Sequence, residues 1–271
     1  MLSIQKGDAA FIQAAARFID EYEQKLRAEK KYFPRLNSRK IDNESMMNYM
    51  LFMIENNLSW NALQRCIDEY HYQSVYQRFQ RMVKLGIFKY IWNKFLHQYS
   101  IKKLAKNPNY FMNLFTDTTM IKSLQGTDCI GRNPTDRGRN GTKVSVIVDQ
   151  GKVAISECVM FPANVHDLKT LMPTMFKVPI VVKTDKRRTI RIAADKAYRN
   201  KDLAQNVLRM KIRLVTEPIR PKDKALYRKR VYIDFLGGII KNGNKRIRVR
   251  VDRKIEIISC IMVHCNGTKD F

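Results

Sequence analysis

At Pro108 the hydrophobic period of this chain changes, and that break constrains what it can fold into more than any other feature. From Ser38 to Tyr99 the apolar residues recur at helical spacing. Val75, Phe79, Met82 and Val83 fall at i, i+4, i+7 and i+8, one stripe of an amphipathic helix. Asp42, Ser59 and Ser74 stand where successive helices would start, and Gly86 where the third would stop. Beyond Pro108, the segments NLFTDTTMI, TKVSVIVDQ and KVAISECVMF are β-branched and alternating, as strands are, and turn residues Gly131, Pro134, Gly138, Gly141 and Gly151 join them. A helix from about Val165 to Phe176, a strand ending RIAADKAY, a helix KDLAQNVLRM, a short strand RLVTEP and a long basic helix follow. Hairpins first and alternating elements later predict an α/β or α+β sheet covered by helices, behind an all-helical leading part.

Charge narrows the partner. Lys and Arg total 51 against 25 Asp and Glu, a net charge of +26 in 271 residues. Self-repulsion on that scale calls for a polyanion, and because the cations run along the whole length, long nucleic acid fits better than a small acidic substrate. Hydrophobic residues make up 45%, enough for a packed core. No apolar segment approaches the roughly 20 residues that span a bilayer, so no membrane partner is expected. The first 25 residues carry acids throughout without a continuous apolar run, so a secretory leader is not expected either. Five cysteines without a CxxC pair fit a reducing, intracellular setting; Cys260, His264 and Cys265 lack the second ligand pair of a structural zinc site.

The third helix of the leading part carries Gln77, Arg78, Arg81 and Lys84 on what reads as its outer face. Short helices with such a face suit a helix-turn-helix whose recognition helix enters the major groove, and equally a plain helical bundle with a solvated basic face. In the C-terminal third, Tyr227, Arg230, Asp234 and Lys241 are spaced Y-x2-R-x3-D-x6-K, offsets that share one helical face. Alone, the quartet is also compatible with ordinary surface ion pairs. Asp117 in the first strand and Asp195 at the end of a later one add weight, because each lies in or beside an apolar run where an unpaired charge is costly. Carboxylates distant in sequence but gathered on a sheet can ligate the two Mg²⁺ ions of a phosphoryl-transfer site.

The blocks FTDTTMIKSLQGTDCIGRNPTDRGRNGTKVSVIVD, FPANVHDLKTL, AADKAY and YIDFLGGIIKNGNKRIRVRVDRK, with SWNAL and SVYQRFQRMVKLGIFKYIWNKFL upstream, resemble a DDE transposase of the insertion-sequence type over residues 38–262. The resemblance implies an RNase H-like mixed sheet with flanking helices at 106–271 and a helical DNA-binding domain at 38–105; ahead of them, residues 8 to about 30 read as a polar-rich amphipathic helix that Pro34 closes, an N-terminal helical extension at 1–37. It further implies Asp117 and Asp195 as the first two catalytic, metal-holding acids, with the third inside a Y-x2-R-x3-E-x6-K motif. Tyr227, Arg230 and Lys241 match that motif; its Glu is replaced by Asp234, one methylene shorter. Mg²⁺, with Mn²⁺ able to substitute, is the implied cofactor, and double-stranded DNA at the element's terminal repeats and target site is the implied partner of a homodimer. Arg132, Arg137, Arg139 and Lys143 are expected along the DNA path, and Arg246, Arg248, Arg250 and Arg253 on phosphates. Asn164, His166 and Asp167 are expected beside the active site. The Asp for Glu leaves two further readings, a catalytically impaired DNA-binding remnant and a non-mobile RNase H-like nuclease.

Overall fold

The computed structural model describes residues 6–29, 41–56, 58–123, 128–134, 137–179, 189–217, 221–229 and 249–250. The chain divides into two compact units, the first running up to Leu96 and the second beginning at His97.

The first unit holds α1 (Lys6–Ala28), α2 (Asn43–Glu55), α3 (Trp60–Leu63), α4 (Tyr72–Lys84) and the opening turns of α5 (Ile87–Lys106). Local signals set these boundaries. Asp42 Oδ1 accepts the Ser45 N–H (2.7 Å), and Ser59 Oγ accepts that of Ala62 (3.2 Å). Gly86 takes φ +71°, a left-handed conformation glycine adopts freely, and separates α4 from α5. Helix α4 starts earlier than the sequence suggests: His71, not Ser74, is its N-cap.

A second correction concerns Arg78. Val75, Arg78, Phe79 and Met82 are the buried residues of α4. Arg78 therefore points into the unit, ion-paired with Glu23 of α1 and donating to Asn43 Oδ1 (2.8 Å). Its position three residues after Val75 and four before Met82 puts it on the apolar stripe. Gln77, Arg81 and Lys84 are exposed as expected. Phe11 of α1 stacks on Phe95 of α5 at 5.0 Å, and Tyr22 on Tyr90 at 4.4 Å. Arg78→Met will leave the buried Glu23 carboxylate with only the more exposed Arg27 at 3.7 Å and destabilise this unit by about 3 kcal/mol, the low end for breaking a buried pair. Arg81→Met will leave it essentially unchanged, and chemical denaturation of the two variants side by side checks this.

The second unit is a mixed sheet. Its strands are β1 (Asn113–Ser123), β2 (Gly131–Arg132), β3 (Asn140–Val148), β4 (Val159–Pro162), β5 (Ile190–Ala193), β6 (Ile212–Val215) and β7 (Val249–Arg250). Strand β3 pairs antiparallel with β1, β2 and β4; β5 lies parallel to β1, and β6 parallel to β5. Across its long strands the order is thus β4-β3-β1-β5-β6, antiparallel on one side of β1 and parallel on the other, with β7 touching the far end of β1. That is an RNase H-like mixed sheet. Helices α6 (Leu171–Met175), α7 (Lys201–Arg209) and α8 (Pro221–Arg228) accompany it. The helix expected over 165–176 is instead a 3₁₀ turn at Asp167–Lys169 running into α6, with Pro173 inside it. Strand β3 was expected to alternate, yet residues 141–148 are all buried, because neighbours cover both its edges and layers cover both its faces.

Behind β3, Asp149 is fully buried and fully engaged. Tyr99 Oη donates to Oδ2 (2.7 Å), and the Gly151 and Val153 amides donate to Oδ1 at 2.8 and 3.0 Å. Burial pushes the Asp149 carboxyl above its usual range while these three donors pull it back. A Cβ at Gly151 would lie 2.5 Å from Tyr110 Oη and 2.7 Å from Tyr99 Oη. Gly151→Ala will force both phenols out of this network at a cost of roughly 2 kcal/mol, read as a lower unfolding midpoint. No helix among the described residues is long and apolar enough to cross a membrane.

Candidate active site

The sheet register brings two of the expected acids together. Phe115 of β1 lies opposite Ala193 of the parallel strand β5. Two residues further along each chain are Asp117, within β1, and Asp195, two residues past the end of β5, so the register extended beyond its last pair puts the two at about one level. Parallel strands lie about 4.8 Å apart, and the period of two puts both acids on the face of Phe115 and Ala193. Asp117 is in mid-strand; Asp195 stands just past β5, where it N-caps the 3₁₀ turn Lys196–Tyr198. Each is half-buried. The Thr118 amide donates to Asp117 Oδ1 (2.8 Å) and the Lys196 amide to Asp195 Oδ1 (2.6 Å), fixing one oxygen of each.

Helix α8 lies over this same face. Asp223 in its first turn is buried and ion-paired with Arg213 of β6, with Arg191 of β5 at 3.9 Å. Arg191 and Arg213 are opposite one another in the β5–β6 ladder, and Arg191 is opposite Asn113 of β1. Alternation therefore assigns both arginines to the face of Asp117 and Asp195. Pro221 opens the helix at the position where proline is tolerated. Tyr227, half-buried, is one turn on from Asp223 along the helix.

The opposite face carries a polar cluster. Lys143 of β3 is buried, its Nζ donating to Asp167 Oδ1 and to the Val165 carbonyl, both at 2.6 Å. Thr118 Oγ1 donates to the same Asp167 oxygen (2.9 Å). Thr174 donates to Ser145 Oγ (2.8 Å), and the Tyr198 hydroxyl lies 3.4 Å from that of Thr170. Tyr198 is fully buried; burial raises its phenol above the usual value, and Asp167 and Asp117 push it further while Thr170 opposes them.

Several expected positions take different places. Lys143 faces inward and is neutralised by Asp167, so it is not on a DNA path. A lysine within the run TKVSVIV was the available signal, since that run is too apolar to expose one. Asp167 is beside the acids as expected, but on the reverse of the sheet from Asp117. His166 caps its turn, Nδ1 accepting the Leu168 amide (3.2 Å). Asn164 is exposed, and its side chain closes over Gly131. Arg132, Arg137 and Arg139 are exposed around the β2–β3 turn, where Arg137 itself has φ +50°. Arg230, Asp234, Lys241, Arg246, Arg248 and Arg253 lie outside the described residues, as do Cys260, His264 and Cys265; Arg250 pairs with Ser123 in β7.

A mixed sheet of this order, antiparallel on one side of its central strand and parallel on the other, defines an RNase H-like fold. Residues 116–263, more than half of the chain, match the family described as the transposase DDE domain, and the chain belongs to that family. Among solved structures, the Mos1 strand transfer complex aligns at 10% identity over 92% of this chain and 86% of that one, with a TM-score of 0.27. The Mos1 paired-end complex with the left transposon end aligns at 9% identity over 93% and 88%, with a TM-score of 0.28. At such scores the likeness is slight, and membership rests on the sequence match. No curated protein matches the sequence.

Removing the cation that holds α8 has a readable consequence. Arg213→Met will leave Asp223 buried with only the more distant Arg191, costing about 3 kcal/mol, the low end for a buried pair because Arg213 is itself partly exposed. Hydrogen exchange will show the loss first at the amides of residues 222–229.

Proposed function

We propose that this chain is a DNA transposase that cleaves the ends of its element and joins the freed strands to a target. The observation that carries the reading is the parallel pairing of β1 with β5, from which Asp117 and Asp195 each follow two residues beyond the Phe115–Ala193 pair, inside the region that matches the transposase DDE domain. Asp117, Asp195 and Asp234 form the acidic set. Among the described residues no group of three His, Cys, Asp or Glu side chains could hold a metal ion, and Asp234 lies outside them. The donor chemistry nonetheless fits: carboxylate oxygens held on rigid strands are hard ligands of the kind Mg²⁺ takes, with Mn²⁺ able to substitute. A divalent ion bound there supplies Lewis-acid polarisation of the scissile phosphate and neutralises charge on the leaving oxygen. The chain's own part is to hold the acids at one level, through the β1–β5 ladder and the amides of Thr118 and Lys196.

DNA is the proposed substrate on grounds of charge. Exposed Arg132, Arg137 and Arg139 at the β2–β3 turn, with Tyr227, Arg230, Lys241, Arg246 and Arg248 further on, would grip phosphates and set a steep salt dependence. Exposed Gln77 and Arg81 on α4 would read base edges of the terminal repeats, as in a helix-turn-helix. Domains at 1–37, 38–105 and 106–271, a homodimer on paired ends and action wherever the host keeps its DNA belong to the same reading. Asp234 in place of Glu favours one alternative, a remnant that binds DNA without cutting, because a displacement near 1 Å at a reacting centre can cost about 100-fold in rate.

Nicking of a supercoiled plasmid carrying the gene's flanking DNA, in Mg²⁺ or Mn²⁺, separates the two. The expected result is metal-dependent nicking by the wild type that falls to background in Asp117→Ala. A silent wild type with an active Asp234→Glu would establish the remnant instead.

A further inference from the structure

Thr118 joins the two faces of the sheet. Its amide holds Asp117 Oδ1 on the carboxylate face, while its hydroxyl donates to Asp167 Oδ1 on the reverse. Asp167 is in turn fixed by Lys143, whose side chain is 6% exposed and whose ammonium also donates to the Val165 carbonyl. A lysine buried to that extent is costly unless it secures something, since its desolvation offsets most of what the ion pair returns. Lys143 secures the turn leading to Asp167 and, through the shared oxygen, the rotamer of Thr118. Thr118 is β-branched, so fixing its hydroxyl fixes χ1 and limits how the strand can twist at Asp117.

From this geometry we infer that Lys143, Asp167 and Thr118 form a brace that positions Asp117 for its metal ion from the reverse face of the sheet, without touching ion or substrate. The inference rests on the metal-holding role proposed for Asp117. Groups that orient a ligand in this way typically contribute 10–100-fold in metal affinity.

The test measures Mn²⁺ binding to the full chain by the paramagnetic resonance of free Mn²⁺, alongside melting temperature. Thr118→Val keeps the shape and loses the hydroxyl; it is expected to weaken Mn²⁺ binding roughly 10-fold with little change in melting. Thr118→Ser, which keeps the hydroxyl, is expected to restore wild-type binding. The paired variant Lys143→Met/Asp167→Ala removes both the ammonium and the oxygen that accepts the Thr118 hydroxyl without leaving a buried charge alone, is expected to weaken binding in the same way, and decides the matter if Thr118→Val does not fold. Wild-type Mn²⁺ binding in Thr118→Val or in the pair, with binding lost in Asp117→Ala, overturns the brace alone. Equal binding by the wild type and Asp117→Ala overturns the metal reading of Asp117, and the brace with it.

Discussion

The parallel pairing of β1 with β5 is the constraint on which the rest of the second unit depends. Three residue pairs, Asn113 with Arg191, Leu114 with Ile192 and Phe115 with Ala193, set the level of everything beyond them. A slip of one residue would turn Asp195 to the other face and leave Asp117 alone. The register is protected by burial on both sides: Leu114, Phe115, Ile192 and Ala193 are all core residues, and their apolar faces are satisfied in one alignment only. The same alignment places Arg191 and Arg213 where Asp223 can meet them, so one ladder fixes both the acids and the helix over them.

Acids are the scarce charge in this chain, and the fold spends many of them inside. Glu23 takes Arg78, Asp167 takes Lys143, and Asp223 takes Arg213, each tying two elements of one unit together. Asp149, buried beneath Tyr99, accepts that phenol and two amides, while Lys103 sits 5.0 Å from the Tyr99 ring centre. Each of these ion pairs is neutral, so the excess of cations falls to the rest of the chain, where Arg81 and Lys84 on α4 and Arg132, Arg137 and Arg139 at the β2–β3 turn are exposed. A net charge of +26 thus becomes an outward positive field, which a phosphate backbone would relieve.

Much of this could be read from periodicity. The break at Pro108, the strands around Asp117 and Lys143, the helix KDLAQNVLRM and the caps at Asp42 and Ser59 all follow from local patterns that tertiary packing does not override. Arg78 and Lys143 could not be placed by residue type, because a cation reads as surface until its partner is known, and Glu23 and Asp167 are distant in sequence. The spacing was informative all the same, since Arg78 shares the stripe of Val75 and Met82. His71 displaced Ser74 as a cap because an imidazole nitrogen can accept an amide as a hydroxyl does, a capping role outside the preferred set of Ser, Thr, Asp and Asn.

The run Thr116-Asp117-Thr118-Thr119 is polar for the central strand of a sheet, and the two faces explain why it is tolerated there. Thr116 Oγ1 returns its hydrogen bond to the Val146 carbonyl, Thr118 finds Asp167, and Asp117 is half-buried on the face shared with Asp195. The hydroxyls of Thr116 and Thr118 are thereby paired, so neither brings the penalty of an unsatisfied polar group. Because strand side chains alternate, a half-open carboxylate and the group that anchors its neighbour can be adjacent in sequence yet separated by the thickness of the sheet. A helix would place them about 100° apart on one surface, where the anchoring ammonium would compete with a metal ion for the carboxylate. A strand keeps the cation behind and the acid in front, which is why this polar stretch lies at the middle of the sheet and not in a loop.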